Sequence, residues 1–253
     1  MNGQLLNLES VTVTFGGVVA LSEVSFSLER SELLGLIGPN GAGKTTALRS
    51  ITGVVTPQHG SVTVAGHNLS GLSIQSRARL GLGFSQQLVR PFFNLSLLDN
   101  VALAAGHAIT RSPRRALFAR DRSRQRAQAL DLLERVGIAD AAASAPAELP
   151  LGYLKRLEVA RALALSPRLL LLDEPLAGLN QQEARRLADT LRELNGDGLS
   201  MLLIEHNLSE VMRICARLVV LDNGRKIAEG VPGEVMSRAD VRRAYLGESY
   251  AQA

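Results

Sequence analysis

The spacing of apolar and polar residues divides the chain into two strand-rich parts with a helical part between them. Apolar residues alternate with polar ones through the first thirty residues, and Gly16 and Gly17 interrupt the alternation. This alternation is typical of strands with one buried face, and a glycine pair between two strands is typical of a turn. A further short strand is predicted over 61–65, between Gly60 and Gly66. We therefore expect an antiparallel β layer in this part of the chain.

Three continuous apolar runs, at 33–37, 169–172 and 201–204, predict strands that are buried on both faces. The segment between the last two runs has an apolar stripe at helical spacing, formed by Ala184, Leu187, Leu191 and Leu194. Nearer the C-terminus two apolar stretches flank Asn223 and Gly224, a pair that favours a β-hairpin. Strands that alternate with helices indicate an α/β fold with a parallel sheet.

Between about 88 and 165 the apolar spacing becomes helical. Leu130, Leu133 and Val136 form one stripe, which ends at Gly137, and the proline-bounded segment 139–150 is predicted to be a loop. The predicted organisation is a single domain, 1–253. Its core is formed by 1–87 and 166–253, and a helical subdomain is inserted at 88–165.

Residues 38–46 carry the most informative pattern in the chain. Gly38, Gly43, Lys44 and Thr45 occupy the fixed positions of the phosphate-binding pattern G-x-x-x-x-G-K-[ST]. Glycines let backbone N–H groups curl around a phosphate, and the start of the next helix presents further N–H groups to the same anion. Lys44 can reach the β- and γ-phosphates of ATP, and the Thr45 hydroxyl can bind Mg²⁺. Further predicted nucleotide contacts in this loop are Asn40, Gly41 and Thr46.

The surroundings of this loop decide between a phosphate site and an ordinary glycine-rich turn. A predicted strand precedes it, and a short helix, predicted over 46–52 and ending at Gly53, follows it. Lys44 is one of only three lysines in the chain, so its place in the pattern is not explained by abundance. The sequence therefore predicts that the protein binds a nucleoside triphosphate.

Acidic residues and a histidine follow two of the predicted buried strands. Asp173 and Glu174 end the run at 169–172, and His206 follows the run at 201–204. Ligands of open α/β sheets gather at the carboxyl ends of the strands. Asp173 is predicted to help bind Mg²⁺, Glu174 to polarise the attacking water, and His206 to contact a γ-phosphate or orient Glu174. The alternative is a strand end with surface acids, which the phosphate loop disfavours.

Composition narrows the class of protein further. The chain has 253 residues, a net charge of +4 and one cysteine, so it has no internal disulfide and no four-cysteine zinc site. The helical spacing around Cys215 predicts a buried side chain. No stretch of the sequence has the pattern of a bilayer span or a signal segment, from which we expect a soluble cytoplasmic protein.

Arginines crowd the stretch 111–126, where Asp121 is the one opposing charge. A nucleic-acid or anionic-lipid patch and a solvated helix face are both possible interpretations. Phe118 is the one aromatic residue among these arginines, which disfavours nucleic acid.

Several motifs together resemble one family. They are Phe15-Gly-Gly, the loop at 38–46, the stretch from Arg90 through Phe92-Phe93-Asn94-Leu95-Ser96 to Asp99-Asn100-Val101, Arg156-Leu-Glu-Val-Ala-Arg-Ala-Leu163, Asp173-Glu-Pro175, Ala177-Gly-Leu-Asn180, Ile204-Glu-His-Asn207 and Ala244-Tyr-Leu-Gly-Glu248. Across nearly its full length the chain resembles an ATP-binding-cassette (ABC) transporter ATPase. Within that superfamily it is most similar to the LivG-type subunits of branched-chain amino acid importers, whose features are shared by importers of urea and other small solutes.

The resemblance implies a fold and a set of roles. The fold is a P-loop NTPase cassette with a RecA-like parallel-sheet core, an antiparallel β subdomain and an inserted helical subdomain. Two cassettes would sandwich two ATP molecules, each bound by the phosphate loop of one subunit and by Gly152 of the other. Phe15 would stack on adenine. Gln87, rather than the adjacent Gln86, would link the γ-phosphate and Mg²⁺ to the helical lobe.

The signature segment, 149–153, departs from the family's usual Leu-Ser-Gly-Gly-Gln because it reads Leu-Pro-Leu-Gly-Tyr. Gly152 is kept, whereas Pro150 replaces the serine and Tyr153 replaces the glutamine. Proline at a helix start is compatible with the fold. Loss of one charge-assisted hydrogen bond weakens an interaction by about 1.5–3 kcal/mol. We therefore expect slow basal hydrolysis that depends on the membrane partner. Asn180 stands where many cassettes have aspartate, which fits the LivG-type form.

The resemblance also implies partners and a location. These are transmembrane permease subunits, a second ABC ATPase subunit (a paralogue or an identical copy), and indirectly a periplasmic or extracellular solute-binding protein, with no nucleic acid. The chain would lie peripherally on the cytoplasmic face of the inner membrane. Leu88, Val89, Phe92 and Phe93 would dock the permease or belong to the core of the helical lobe. Alternative functions are a soluble ABC-type ATPase acting on nucleic acid or ribosomes, and a catalytically weakened nucleotide-binding subunit.

Overall fold

A computed structural model describes residues 3–85, 90–106 and 123–251. A small antiparallel sheet has the order β2-β1-β4-β5 and is built from β1 (Gln4–Phe15), β2 (Val18–Glu29), β4 (His59–Val64) and β5 (His67–Asn68). Phe15 pairs with Val18 across the turn at Gly16 and Gly17. The predicted antiparallel layer and its glycine turn are confirmed, and the strand expected over 61–65 begins two residues earlier.

A six-stranded sheet forms the centre of the fold, in the order β10-β9-β3-β8-β7-β6. Its strands are β3 (Leu33–Ile37), β6 (Leu82–Ser85), β7 (Leu169–Asp173), β8 (Ser200–Ile204), β9 (Arg217–Asp222) and β10 (Arg225–Gly230). The first five pair in parallel, and β10 pairs antiparallel with β9 through the predicted hairpin. Every residue of β3, β7 and β8 is buried, which explains their continuous apolar runs.

The two faces of this sheet bury different partners, because successive side chains of a strand point to opposite sides. In β7, Leu169 and Leu171 pack with the antiparallel layer and with α1 (Lys44–Thr52), whereas Leu170 and Leu172 pack with helices on the other face. The described ranges contain these further helices: α2 (Ile74–Arg79), α3 (Leu97–Ala105), α4 (Ser123–Arg135), α5 (Leu151–Leu163), α6 (Gln181–Gly196), α7 (Leu208–Ile214), α8 (Pro232–Ser237) and α9 (Ala239–Ala251).

Some details differ from the predicted pattern. Helix α1 begins at Lys44, two residues before the predicted start, because the phosphate loop runs directly into it. Of the apolar stripe, Leu133 and Val136 are buried, whereas Leu130 is exposed. The predicted loop at 139–150 contains two short 3₁₀ turns. Cys215 is buried as expected, directly after the end of α7, and burial raises the pKa of its thiol.

Most of the charged stretch lies outside the described residues. Of its arginines, Arg124 and Arg126 fall within them, and Arg126 pairs with Asp99 of α3 at 2.7 Å. Among the helices of the described ranges, none has the length and apolar character that a membrane crossing needs.

Candidate functional site

The loop between β3 and α1 is shaped by close backbone contacts at two glycines. Gly38 has a φ of +147°, and a Cβ at this position would lie 2.0 Å from the carbonyl oxygen of Leu221 in β9. Gly43 has a φ of +99°, and its Cβ would lie 2.6 Å from the carbonyl oxygen of Ala20 in β2. A larger residue fits at neither position, so the loop is held between β2 and β9.

Lys44 is the first residue of α1 and is buried. Its Nζ donates hydrogen bonds to the carbonyl oxygens of Gly38, at 2.7 Å, and Pro39, at 2.8 Å. The ammonium group is therefore held against the loop, beside the N-terminus of α1. Thr45 and Thr46 follow in the first turn of α1. This combination of a helix start, a lysine and glycine-shaped backbone suits a polyphosphate.

Asp173 lies at the carboxyl end of β7, next to the phosphate loop. Helix α1 packs against β7, so the charges of Lys44 and Arg49 face this carboxylate. Asp173 is 7% exposed, and its pKa is raised by burial and then by the neighbouring Glu174. A buried carboxylate of this kind favours the binding of a cation.

Mg²⁺ prefers oxygen ligands and usually keeps several waters, so it needs few protein groups. The Asp173 carboxylate and the Thr45 hydroxyl provide such oxygens and fit this ion. The described residues contain no group of three or more His, Cys, Asp or Glu side chains suited to a metal. That finding is compatible with a site that is shared between a hydroxyl, one carboxylate and phosphate oxygens.

Glu174 is held in an unusual backbone conformation beside His206. Its φ is +50°, which is uncommon for a residue with a side chain. Its backbone N–H donates to the carbonyl oxygen of Ile204 at 2.9 Å, which connects β7 to the end of β8. Its Oε1 lies 3.0 Å from Nε2 of His206. Backbone strain of this kind is often found where a side chain must point into a reactive site.

A pocket of about 190 Å³ brings most of these residues together. It is lined by residues 40–46 of the phosphate loop, by Ala20, and by Glu174 and His206. Glu174 and His206 therefore line the same pocket as the phosphate loop, whereas Asp173 does not line it. A carboxylate that a histidine orients towards a phosphate-binding loop can polarise a water for attack on a phosphoryl group.

Gly152 does not line this pocket. It is the second residue of α5, and with Tyr153 it lines a separate pocket of about 390 Å³, next to Glu183 of α6. Pro150 is the residue before the helix and caps it without a side-chain hydrogen bond. The Tyr153 hydroxyl donates to Oδ2 of Asp140 at 2.8 Å, so it is bound within its own helical region.

Phe15 and Gln87 are two further residues that were predicted to contact the nucleotide or its Mg²⁺ ion. Phe15 ends β1 and is half exposed at the turn, outside the residues that line the nucleotide pocket. Gln87 and its neighbour Gln86 lie outside the described residues. Strand β6 ends at Ser85, opposite Leu172 of β7, so the chain leaves β6 next to the strand that ends in Asp173.

The sequence reasoning missed two buried charges beside the site. The Glu205 carboxylate accepts hydrogen bonds from the N–H groups of Leu176, at 2.6 Å, and His206, at 3.1 Å, and burial raises its pKa. Lys155 of α5 is 5% exposed, and its Nζ donates to the carbonyl oxygen of Glu174 at 3.2 Å. Burial lowers the pKa of Lys155, and the neighbouring carboxylates oppose that shift. Two sequence features could have indicated them: Glu205 is an acidic residue at the end of an apolar strand, and Lys155 is one of few lysines in the chain.

The parallel sheet, the phosphate loop at the start of α1 and the acidic end of β7 define a P-loop nucleoside triphosphatase. Residues 21–177 match the ABC transporter family, and residues 225–251 match the branched-chain amino acid ATP-binding cassette transporter family. The chain therefore belongs to the ABC transporter ATP-binding family, and it is an ATPase. The resemblance seen in the motifs and the predicted cassette fold are confirmed.

Individual relatives agree with this assignment. The chain is 37% identical to the high-affinity branched-chain amino acid transport ATP-binding protein LivG of Salmonella typhimurium, over 98% of this chain and 100% of that one. It is 34% identical to the lipopolysaccharide export system ATP-binding protein LptB of Acidithiobacillus ferridurans, over 98% of each chain.

Solved structures show the same fold. The ADP conformation of an ATP-binding cassette of an ABC transporter superposes with a TM-score of 0.85, at 28% identity, over 96% of this chain and 99% of that one. A dimeric post-hydrolysis cassette bound to ADP and Pi gives 0.77, at 25% identity, over 90% of this chain and 99% of that one.

Proposed function

We propose that this ATPase powers an importer of branched-chain amino acids or of a related small polar solute. The observation that carries the proposal is the match of residues 225–251 to the branched-chain family, added to 37% identity with LivG over nearly the whole chain. The matched segment comprises β10, α8 and α9, and it contains none of the phosphate loop, Asp173–Glu174 or His206. It therefore adds information beyond the motifs that all cassettes share.

In this proposal the phosphate loop binds ATP and Glu174 promotes its hydrolysis. Residues 40–46 with Gly38 enclose the phosphates, and Lys44 turns its ammonium from the loop carbonyls to the β- and γ-phosphates. Thr45, Asp173 and Gln87 would hold Mg²⁺, which neutralises charge on the phosphates. Glu174 polarises the attacking water, and His206, 3.0 Å away, fixes the direction of that carboxylate.

We propose that the complete site forms between two cassettes. Gly152 lines a pocket other than the one formed by the phosphate loop, so it does not complete that site within its own chain. The N-terminus of α5 can present its N–H groups to the γ-phosphate bound by a second subunit, either an identical copy or a paralogue. Phe15 is half exposed and stays a candidate for stacking on adenine.

The helical part offers a surface for a membrane permease. Phe92 and Phe93 are 49% and 54% exposed, so they do not belong to the core. The side chain of Asn100 accepts from the Phe92 N–H at 2.8 Å and donates to the Phe92 carbonyl oxygen at 3.0 Å, which fixes this segment. Exposed aromatic residues on a fixed backbone suit docking. We propose that they contact permease subunits, which would place the chain on the cytoplasmic face of the inner membrane. Leu88 and Val89 lie outside the described residues.

The first test is light scattering on Glu174→Gln with and without Mg-ATP. The substitution should block hydrolysis and leave the nucleotide contacts of the phosphate loop and of Gly152 in place. We therefore expect a shift from monomer to dimer when ATP is added. A monomer that binds ATP would mean that closure needs a paralogue or the permease. Hydrolysis at the wild-type rate would contradict the role of Glu174.

The solute is tested in the organism that encodes the chain. Cells that carry Glu174→Gln should lose uptake of labelled leucine, isoleucine or valine. The 34% identity with LptB favours lipopolysaccharide export as a second candidate. Unchanged amino acid uptake with less lipopolysaccharide at the cell surface would select that candidate.

A further inference from the structure

Lys155 connects the signature helix to the backbone of the catalytic carboxylate. It lies in α5, one turn after Gly152, and its Nζ donates to the carbonyl oxygen of Glu174 at 3.2 Å. Of the chain's three lysines, Lys44 belongs to the phosphate loop and Lys226 pairs with Glu229 on the surface hairpin. Lys155 is buried although it belongs to neither group, and the proposed chemistry does not use it directly.

The carboxylates around Lys155 offset part of the cost of burying its ammonium group. Carboxylates of Glu205, Glu174, Glu158 and Asp173 all act on it. A buried ammonium is unfavourable unless opposite charges and hydrogen-bond acceptors surround it. The same ammonium offsets the repulsion between the acids at the ends of β7 and β8. Lys155 therefore belongs electrostatically to the active site, although it is carried by a helix of the inserted part.

The backbone of Glu174 needs such support. Its positive φ of +50° is held on one side by the bond from its own N–H to Ile204. On the other side its carbonyl oxygen accepts from the N–H of Ala177 at 3.2 Å and from Lys155. The Ala177 contact is local to the turn, and the Ile204 contact belongs to the core sheet. Lys155 provides a contact to the inserted part of the chain, so a movement of α5 changes the support of Glu174.

We propose that Lys155 is a positioning residue that couples the signature helix to Glu174 of the same subunit. This inference rests on the proposed roles of Glu174 and Gly152. The N-terminus of α5 meets the nucleotide of the partner subunit, and one turn later the same helix holds the carbonyl group of Glu174. Docking of α5 on the partner's nucleotide thereby sets the direction of this subunit's own catalytic carboxylate. Each subunit then hydrolyses ATP efficiently only when its signature helix is engaged.

The test compares Lys155→Met with Lys155→Arg in the full chain. Methionine keeps the length and loses the charge and the donor, whereas arginine keeps both. Loss of one charge-assisted hydrogen bond predicts a single-turnover hydrolysis rate lower by about tenfold or more in Lys155→Met. We expect the Kd for ATP, measured by calorimetry, to change by less than about threefold, since the phosphate loop is untouched. Lys155→Arg should recover most of the rate. Lys226→Met is the matched control and should hydrolyse like the wild type.

A double-mutant cycle separates positioning from a general structural effect. If Lys155 acts through Glu174, adding Lys155→Met to Glu174→Gln should leave the residual rate unchanged within about twofold. An equal loss in both backgrounds would overturn the proposal, as would a wild-type rate in Lys155→Met or a failure of arginine to restore activity. Should Lys155→Met not fold, Lys155→Gln takes its place in the same cycle.

The two proposals fail in different ways. A wild-type rate in Glu174→Gln contradicts the proposed role of Glu174. If Glu174→Gln hydrolyses ATP slowly and Lys155→Met hydrolyses it at the wild-type rate, only the proposed coupling by Lys155 is contradicted.

Discussion

The phosphate loop and the signature segment, 149–153, differ in what fixes their residues. In the phosphate loop, Gly38 and Gly43 have positive φ, and a Cβ at either would meet backbone oxygens at 2.0 and 2.6 Å. At Gly152 the backbone is helical, and a Cβ would approach only the end of the Glu183 side chain, at 3.1 Å. Folding alone therefore demands the first two glycines, whereas it tolerates a side chain at the third.

This difference explains how the signature segment can depart from its family's usual pattern. Proline is well suited to the position before α5, and the Tyr153 hydroxyl donates a hydrogen bond to Asp140. Neither replacement therefore disturbs the fold. Under the proposed role of this segment at the nucleotide of a second subunit, the contacts within its own chain leave its sequence more freedom. The phosphate loop has to satisfy the fold and the nucleotide with the same atoms, which leaves it little freedom.

The largest expected effect comes from Gly38→Ala in the phosphate loop. The new Cβ would collide with the carbonyl oxygen of Leu221, so we expect the unfolding free energy to fall by roughly 3–4 kcal/mol. We also expect the variant to lose ATP binding. Urea unfolding and calorimetry with ATP measure the two effects.

Gly41→Ala is the matched control within the same loop. Its φ is also positive, at +77°, but a Cβ there meets no atom within 4 Å. We expect a loss of only about 1 kcal/mol. Equal losses in the two variants would show that backbone conformation, and not the contact with β9, fixes the loop.

The next largest effect is expected at Arg77, which supports the phosphate-loop helix from its far end. This buried arginine donates to the carbonyl oxygens of Ser50, at 2.7 Å, and Ile51, at 2.9 Å, in the last turn of α1, and also to Leu69 and Leu72. Arg77→Met leaves these acceptors without their donor, so we expect a loss of about 3 kcal/mol in unfolding free energy. Arg79→Met, on the exposed side of the same helix, should change stability little. Similar results for both would contradict this role.

Much of the fold and of the candidate site could be predicted from the sequence, because the features concerned are encoded by neighbouring residues. Strand periodicity, the phosphate loop and the pair Asp173–Glu174 are local patterns in which neighbouring residues share one task. Arg77, Lys155 and Glu205 could not be found in this way, because their partners lie in other elements and are mostly backbone carbonyl or N–H groups. The exposure of Leu130 could not be predicted either, because helical spacing indicates a face of the helix but not how deeply each residue on it is buried.

A smaller effect is expected when the signature segment is returned to its family pattern by Pro150→Ser. The new hydroxyl can donate to a γ-phosphate in the partner's site, an interaction of about 1.5 kcal/mol. In a Glu174→Gln background, dimers should form at roughly tenfold lower ATP concentration, as measured by light scattering. Pro150→Ala removes the ring without adding the hydroxyl and should not produce this shift. If both variants dimerise alike, the proline ring and not the missing hydroxyl limits closure.

The smallest change in stability is expected at Asp173, at the acidic end of β7. Unlike the replacements in the signature segment, the charge at this position serves the proposed function and disfavours folding. Burial raises the pKa of Asp173, so its charged form is disfavoured in the folded protein. Asp173→Asn should therefore increase the unfolding free energy at pH 7, and under the proposed role of Asp173 it should abolish Mg²⁺-dependent hydrolysis. As pH falls through the raised pKa, the folded wild type takes up its proton before the unfolded chain does. The wild type is stabilised accordingly, and the advantage of the variant should shrink, vanishing only below the pKa of the unfolded chain. Asp131→Asn, at an exposed position in α4, is the control substitution, and urea unfolding between pH 7 and pH 4 measures both variants. A destabilised Asp173→Asn would mean that attraction to Lys44 and Arg49 outweighs burial.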